Sequence, residues 1–181
     1  IDMGTKANFD RYLADQQNDR QRTIDDNNND NGISLNEELP PPFDLVVVLA
    51  GTNDLKYTAN SDAIFQSIQT LHEMIRKLGT PTIALGIPPI GLLPGWWPIH
   101  LEPTLSLIRD VNEKLRSWAE STDKPKTTFV PFPIQTVDQS SGLWNPDEMH
   151  LSKSGYELAG KSLAPIVAKI IWEDNNGNGD D

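Results

Sequence analysis

Phe43-Asp44-Leu45-Val46-Val47-Val48-Leu49-Ala50 runs directly into Gly51-Thr52-Asn53-Asp54, behind three consecutive prolines at 40, 41 and 42. A short apolar run rich in β-branched residues is the pattern of a strand covered on both faces, as in a parallel sheet. The polar tetrapeptide that ends it stands at the strand's carboxyl end, where open α/β sheets gather their reactive groups.

Downstream, Ile64, Ile68, Leu71, Ile75 and Leu78 recur at spacings of four and three. That spacing predicts an amphipathic helix with Ser61 as its N-cap and Gly79 just past its end. A second strand is expected at Thr82 to Ile87, and a second helix from about Thr104 to Trp118 with Ile108, Val111, Leu115 and Trp118 on one stripe. A third strand follows at Thr127 to Phe132. The last helix is expected from Lys153 to Trp172, burying Leu158, Leu163, Ile166, Val167 and Ile170, with a kink at Pro165. The order β-α-β-α-β-α implies right-handed crossovers and a parallel sheet with helices on both faces.

The 181 residues suffice for one such domain and are too few for two of ordinary size. It is placed at residues 43–172. Residues 1–42 form an irregular, partly helical acidic segment, with a modest helical patch at Phe9, Tyr12 and Leu13, and residues 173–181 a disordered acidic tail. Residues 25–38 and 173–181 together carry nine of the eleven net negative charges and no base. A chain with no basic stripe does not track a phosphate backbone, so nucleic acid is not an expected partner. The longest apolar run, Leu45 to Gly51, is far below the ~20 residues that span a bilayer, and the amino end has no signal-peptide pattern, so the chain reads as soluble with its compartment open. Without cysteine there is no disulfide framework, thiolate nucleophile or thiolate metal site.

Two constellations could carry chemistry. Asn53 sits just past the first strand, where a fixed side-chain N–H can meet a developing oxyanion; the plainer reading is a polar turn with local capping. In Asn145-Pro146-Asp147-Glu148-Met149-His150-Leu151-Ser152, Asp147 and His150 are three apart, a spacing that puts both side chains on one side of a helical or turn-like segment. A histidine acting as general base needs one ring nitrogen free and the other held by an acceptor. The plainer reading is a surface histidine beside an Asp cap. His72, in a helix next to its apolar stripe, and His100, in a loop, have no Asp at a comparable spacing and are read as structural or exposed.

A strand ending in Gly-Thr-Asn-Asp, followed much later by Asp-x-x-His-Leu-Ser and then Gly155-Tyr156 opening a terminal helix, resembles the SGNH hydrolases, also called GDSL-type esterases and lipases. The likeness covers about residues 43–171. It implies a flavodoxin-like three-layer α/β/α sandwich and hydrolysis of a small-molecule ester through an acyl-serine intermediate. His150 would be the base, Asp147 its orienting partner, Asn53 an oxyanion-hole donor, and Gly51 the residue that lets the backbone approach the acyl group. Asp54 would be structural, and no cofactor is implied.

The family's Gly-Asp-Ser nucleophile block, which follows its first strand, has no counterpart in residues 1–42. The nearest string, Gly32-Ile33-Ser34-Leu35, follows an Asp/Asn run that cannot be a buried strand, so Ser34 is a poor nucleophile. The chain is therefore read as the carboxyl-terminal part of a longer esterase, without its first strand, its own turnover in doubt and its exposed sheet edge open to association. The alternative is a pseudoenzyme or binding module. Asp26, Asn28, Asp30, Ser34 and Glu37 fall at positions 1, 3, 5, 9 and 12 of an EF-hand-like calcium loop, although the glycine is at 7 instead of 6 and the three prolines cut short the helix that should follow. A solvated acidic loop is the plainer reading. The loop Leu92 to Leu101, with Trp96 and Trp97, either walls an acyl or sugar site or simply packs.

Overall fold

The computed structural model describes residues 43–91 and 100–176. Their elements are β1 (Val46–Val48), a 3-10 turn (Asp54–Lys56), α1 (Ser61–Arg76), β2 (Thr82–Leu85), α2 (Leu101–Glu120), β3 (Thr127–Val130), a second 3-10 turn (Gln139–Ser141) and α3 (Lys153–Asn176). The strands lie parallel in sequential order, with Val46 opposite Thr82 and Thr82 opposite Thr127. This is the α/β alternation that the sequence predicts.

Successive side chains point to opposite faces of a sheet, so each face has its own core. On one, Ala50 and Phe129 pack with Ile64 and Ile68 of α1 and Leu107, Ile108, Val111 and Leu115 of α2. On the other, Ile83, Leu85 and Val130 are covered by Ala159, Leu163, Ile166 and Val167 of α3. Helices on both faces complete three layers, and the crossovers bring the strand ends that precede Gly51, Gly86 and Pro131 to one edge of the sheet.

Several expectations are corrected. β1 is shorter than its apolar run and is not covered on both faces, because Val47 and Leu49 are 43% and 48% exposed. The reason is reach: apart from Leu45, the α3 cluster draws its sheet residues from β2 and β3. The cap of α1 is Asn60 instead of Ser61, its side chain accepting from the N–H groups of Asp62 and Ala63 at 2.9 and 3.2 Å. Gly79 does stand past the helix end, at φ +78°. The buried stripe of α1 is Ile64, Ile68, His72 and Ile75, so a fully buried histidine takes the place expected for Leu71. β2 and β3 leave the ladder two residues earlier than expected, α2 begins three residues earlier, and α3 continues as one helix through Pro165 to Asn176 with Leu158 exposed.

His72 is accommodated by its neighbours. Its Nδ1 lies 2.8 Å from the Thr82 hydroxyl, which lies 3.0 Å from the Thr127 hydroxyl, and its ring tilts against Trp118 at 5.5 Å between centroids. Burial, with a smaller contribution from the Arg76 charge, lowers its pKa to about 4, so it is neutral at pH 7.

Candidate active site

The first component is the turn after β1. Gly51 is buried at φ +104°, a conformation in which an L side chain is strained, and its carbonyl accepts the Asp54 N–H at 3.1 Å to close the turn. A Cβ at this position would lie 2.6 Å from Ile87 Cδ1 and 2.9 Å from Ile68 Cδ1, so only glycine lets the turn rest on the core. Leu55, two residues past Asn53, is fully buried and pins the other end. Asn53 itself is exposed, and its side chain makes no capping hydrogen bond to the 3-10 turn it precedes. The segment is a polar turn, as the plainer reading has it, but the Asn53 amide is not used as its cap.

The second component is the loop between β3 and α3. An antiparallel bridge pairs Trp144 with Leu151, and the Asn145 N–H donates to the His150 carbonyl at 2.8 Å, closing residues 145–150 into a tight turn that is not helical. Trp144 and Leu151 are buried in the α3-side core, whereas Met149 packs against the α1–α2 core, so the loop crosses the sheet end from one layer to the other. Ser152 then accepts the Gly155 N–H at 3.1 Å and donates to the Gly142 carbonyl at 2.6 Å, capping α3 and tying it to the preceding turn.

Inside the loop Asp147 does two jobs at once. Its Oδ1 accepts the N–H groups of Met149 and His150, both at 3.0 Å, and its Oδ2 lies 2.7 Å from His150 Nδ1. These bonds, led by the one to the imidazole and then those from the His150 and Met149 amides, lower the Asp147 pKa to about 2. An ionised carboxylate only accepts, so Nδ1 carries the proton. His150 is exposed, and its Nε2 has no hydrogen-bond partner among the described residues.

The two components meet through the segment after β2. The Gly91 N–H donates to the Glu148 carbonyl at 2.9 Å, and Gly91 packs so closely on Glu148 and Val137 that a Cβ there would overlap both. Glu148 adopts φ +52°, a left-handed conformation unusual for a side chain of its kind. Beside Gly91 and Val137 opens a cleft of about 510 Å³ whose walls include Pro89, Leu105, Arg109 and Thr136.

His100, read from the sequence as structural or exposed, is exposed at the start of α2. Ser34 and the acidic set Asp26, Asn28, Asp30 and Glu37 lie outside the described residues, as do Trp96 and Trp97. Among the described residues no three His, Cys, Asp or Glu side chains cluster as a metal site would require, and no helix is long and apolar enough to cross a membrane. Sequence reasoning missed Gly91 and Asn112, a residue of α2 whose side chain bonds the Ile87 backbone; neither sits in a local motif.

The GDSL-like lipase/acylhydrolase family model matches residues 4–158, reaching back across the stretch in which no nucleophile motif was found. Curated proteins provide no match. Among solved structures, the chain is similar to a Bacteroides fragilis protein assigned as an acylhydrolase, with a TM-score of 0.56 and 23% identity over 70% of this chain and 62% of that one. It is also similar to a Streptococcus pneumonia protein assigned as platelet activating factor (0.52, 21%, 67% and 58%) and to a carbohydrate esterase family 3 protein from Talaromyces cellulolyticus (0.51, 19%, 72% and 59%). At these identities the likeness shows the fold, and the chain spans about three fifths of the length of each of these structures.

Proposed function

The chain belongs to the GDSL-like lipase/acylhydrolase family, and from that premise we propose that its domain serves the hydrolysis of a small-molecule acyl ester through an acyl-serine intermediate. His150 is the general base, Asp147 holds its ring with the proton on Nδ1, and the Asn53 amide and Gly51 N–H receive the oxyanion. The observation that carries this reading is the Asp147–His150 pair, an ionised carboxylate 2.7 Å from Nδ1 of an exposed imidazole whose Nε2 has no hydrogen-bond partner among the described residues.

In the first step a serine oxygen bonds to the ester carbonyl carbon, its proton passes to His150 Nε2, and the carbonyl electron pair moves onto oxygen. Collapse breaks the bond to the alcohol, which leaves with the proton held by His150. Water repeats the sequence on the acyl-enzyme, releasing the acid and restoring the serine. These steps call on no metal or organic cofactor. The cleft beside Gly91 gives the non-reacting part of the substrate a place to bind.

We place the serine outside residues 43–176. Ser152, two residues past His150, is spent on capping α3, and Ser61 on donating to Asp110 and accepting from Lys114. The test is fluorophosphonate labelling, with mass spectrometry, of the protein expressed from its complete coding sequence, alongside p-nitrophenyl acetate hydrolysis. One labelled serine outside 43–176 is expected, with kcat/KM falling about 10³-fold or more in His150→Ala. Unchanged turnover in that variant would overturn the assignment of the base. Absence of both labelling and turnover would replace the hydrolase with a non-catalytic binding module.

A further inference from the structure

We infer that Asn112 is a positioning residue that holds the Gly51 turn and the His150 loop in register with each other, acting through Ile87. Its role in turnover rests on the hydrolase reading above; its effect on the two loops does not.

β2 makes its last backbone contact with the neighbouring strand at Gly86, whose N–H donates to the Val130 carbonyl at 2.9 Å. One residue later the chain leaves the sheet, and the Ile87 peptide groups are met by a side chain. Asn112 Nδ2 donates to the Ile87 carbonyl at 3.0 Å and Asn112 Oδ1 accepts the Ile87 N–H at 2.8 Å. The amide thus imitates the peptide of an absent strand, supplying one donor and one acceptor side by side. Aspartate lacks the donor, leucine lacks both, and glutamine is a methylene too long. A Cβ at Gly86 would crowd Phe129 Cζ and the Phe132 nitrogen, both at 3.3 Å, and would only touch Asn112 Oδ1, at 3.5 Å.

From Ile87 the constraint runs two ways. Its side chain is the surface on which Gly51 rests, the nearest atom to a Cβ at that position. Its backbone continues through buried Pro88 and Ile90 to Gly91, whose N–H holds the Glu148 carbonyl. Glu148 stands between Asp147 and Met149 in a left-handed conformation, so the orientation of its peptide sets where the Asp147 carboxylate and the His150 ring point. One side-chain amide on α2 therefore fixes the residue that supports the oxyanion turn and carries the loop of the base.

The test uses the full ¹⁵N-labelled chain with Asn112→Leu and Asn112→Asp. Long-range ¹H–¹⁵N correlation reads the His150 tautomer, and hydrogen exchange reads the Gly91, Met149 and His150 amides. Asn112→Leu is expected to convert the Nδ1–H form into a mixture and to speed exchange at those amides about tenfold, with Ala159 in α3 unchanged. Asn112→Asp, which keeps the acceptor for the Ile87 N–H, should fall between Leu and wild type. A folded Asn112→Leu with tautomer and exchange unchanged overturns the proposal. If Asn112→Leu does not fold, Gly91→Ala breaks the lower link with Asn112 intact and must show the same loop signature; its absence overturns the proposal equally. Where the protein turns over ester, kcat should fall about tenfold in Asn112→Leu with KM unchanged. Normal kcat removes the role of Asn112 in turnover, whereas the loop signature in a protein without turnover keeps its hold on the loop and removes the hydrolase reading.

Discussion

The Gly51 turn and the His150 loop stand at one end of the sheet and are held there by opposite means. The turn is seated on apolar contacts with Ile87 and Ile68 and anchored by fully buried Leu55, so its shape belongs to the core. The loop is exposed at Asn145, Pro146, Asp147 and His150, and its shape comes from hydrogen bonds, those to Asp147 together with Asn145 to the His150 carbonyl and Gly91 to the Glu148 carbonyl, with Met149 as an apolar anchor. An oxyanion donor gains from a scaffold that does not reorganise as charge develops. A base that takes and returns a proton needs solvent-accessible nitrogen and a carboxylate, which the core cannot house without large cost. Damage to the two should therefore show up in different measurements.

The largest effect is expected from Asp147→Asn. The Asn oxygen can still accept from the Met149 and His150 amides, so the fold stays, but its NH₂ now faces Nδ1 and drives the ring proton to Nε2, which in the proposed mechanism is the atom that takes up the serine proton. Turnover of p-nitrophenyl acetate by the protein from its complete coding sequence should fall ~10²–10⁴-fold, with the urea midpoint nearly unmoved. Because Asp147 titrates only near pH 2, it stays ionised across the working range and adds no ionisation of its own to the pH profile of kcat/KM there. A variant that unfolds instead would erase the distinction between the two regions.

Gly51→Ala sharpens the contrast from the other side. The new methyl group meets Ile87 and Ile68 at a positive φ, and a loss of about 2–4 kcal/mol of stability is expected in urea denaturation. A loss below ~0.5 kcal/mol, the range of ordinary surface changes, would show that the turn is not seated on the core as described.

These two regions also differ in how far the sequence disclosed them. Asp147 and His150 are three residues apart and their bond is local, so spacing alone predicts it. The strands and helices were legible for the same reason, since apolar periodicity is a short-range signal. Boundaries were less so: Asn60 and Ser61 are both good caps, and the choice depends on which side chain meets the Asp62 and Ala63 amides. The exposure of Val47 and Leu49 depends on where α3 lies, which no property of the strand encodes. Asn112 was invisible because its partner, Ile87, is 25 residues away and contributes only backbone atoms. Gly91 reads as an ordinary loop glycine until Glu148 and Val137 are placed against it.

The smallest effect predicted comes from His72, the core's counterpart to His150. Its folded pKa of about 4 lies below the ordinary 6.5, so the unfolded chain binds more protons between those values. Stability is then complete above pH 6.5 and declines as pH falls toward 4, by at most about 3 kcal/mol from this group. The window is separate from that of Asp147, whose contribution is lost only between about pH 3.8 and 2. His72→Leu fills a similar volume, leaves Thr82 bonded to Thr127, and removes a buried Nε2 that has no partner among the described residues. At pH 7 it should cost less than ~1.5 kcal/mol, as volume-conserving core changes do. Urea denaturation at steps between pH 7 and 4 should show its stability falling less steeply than that of wild type. Equal slopes would mean that the His72 proton enters the folded core without penalty.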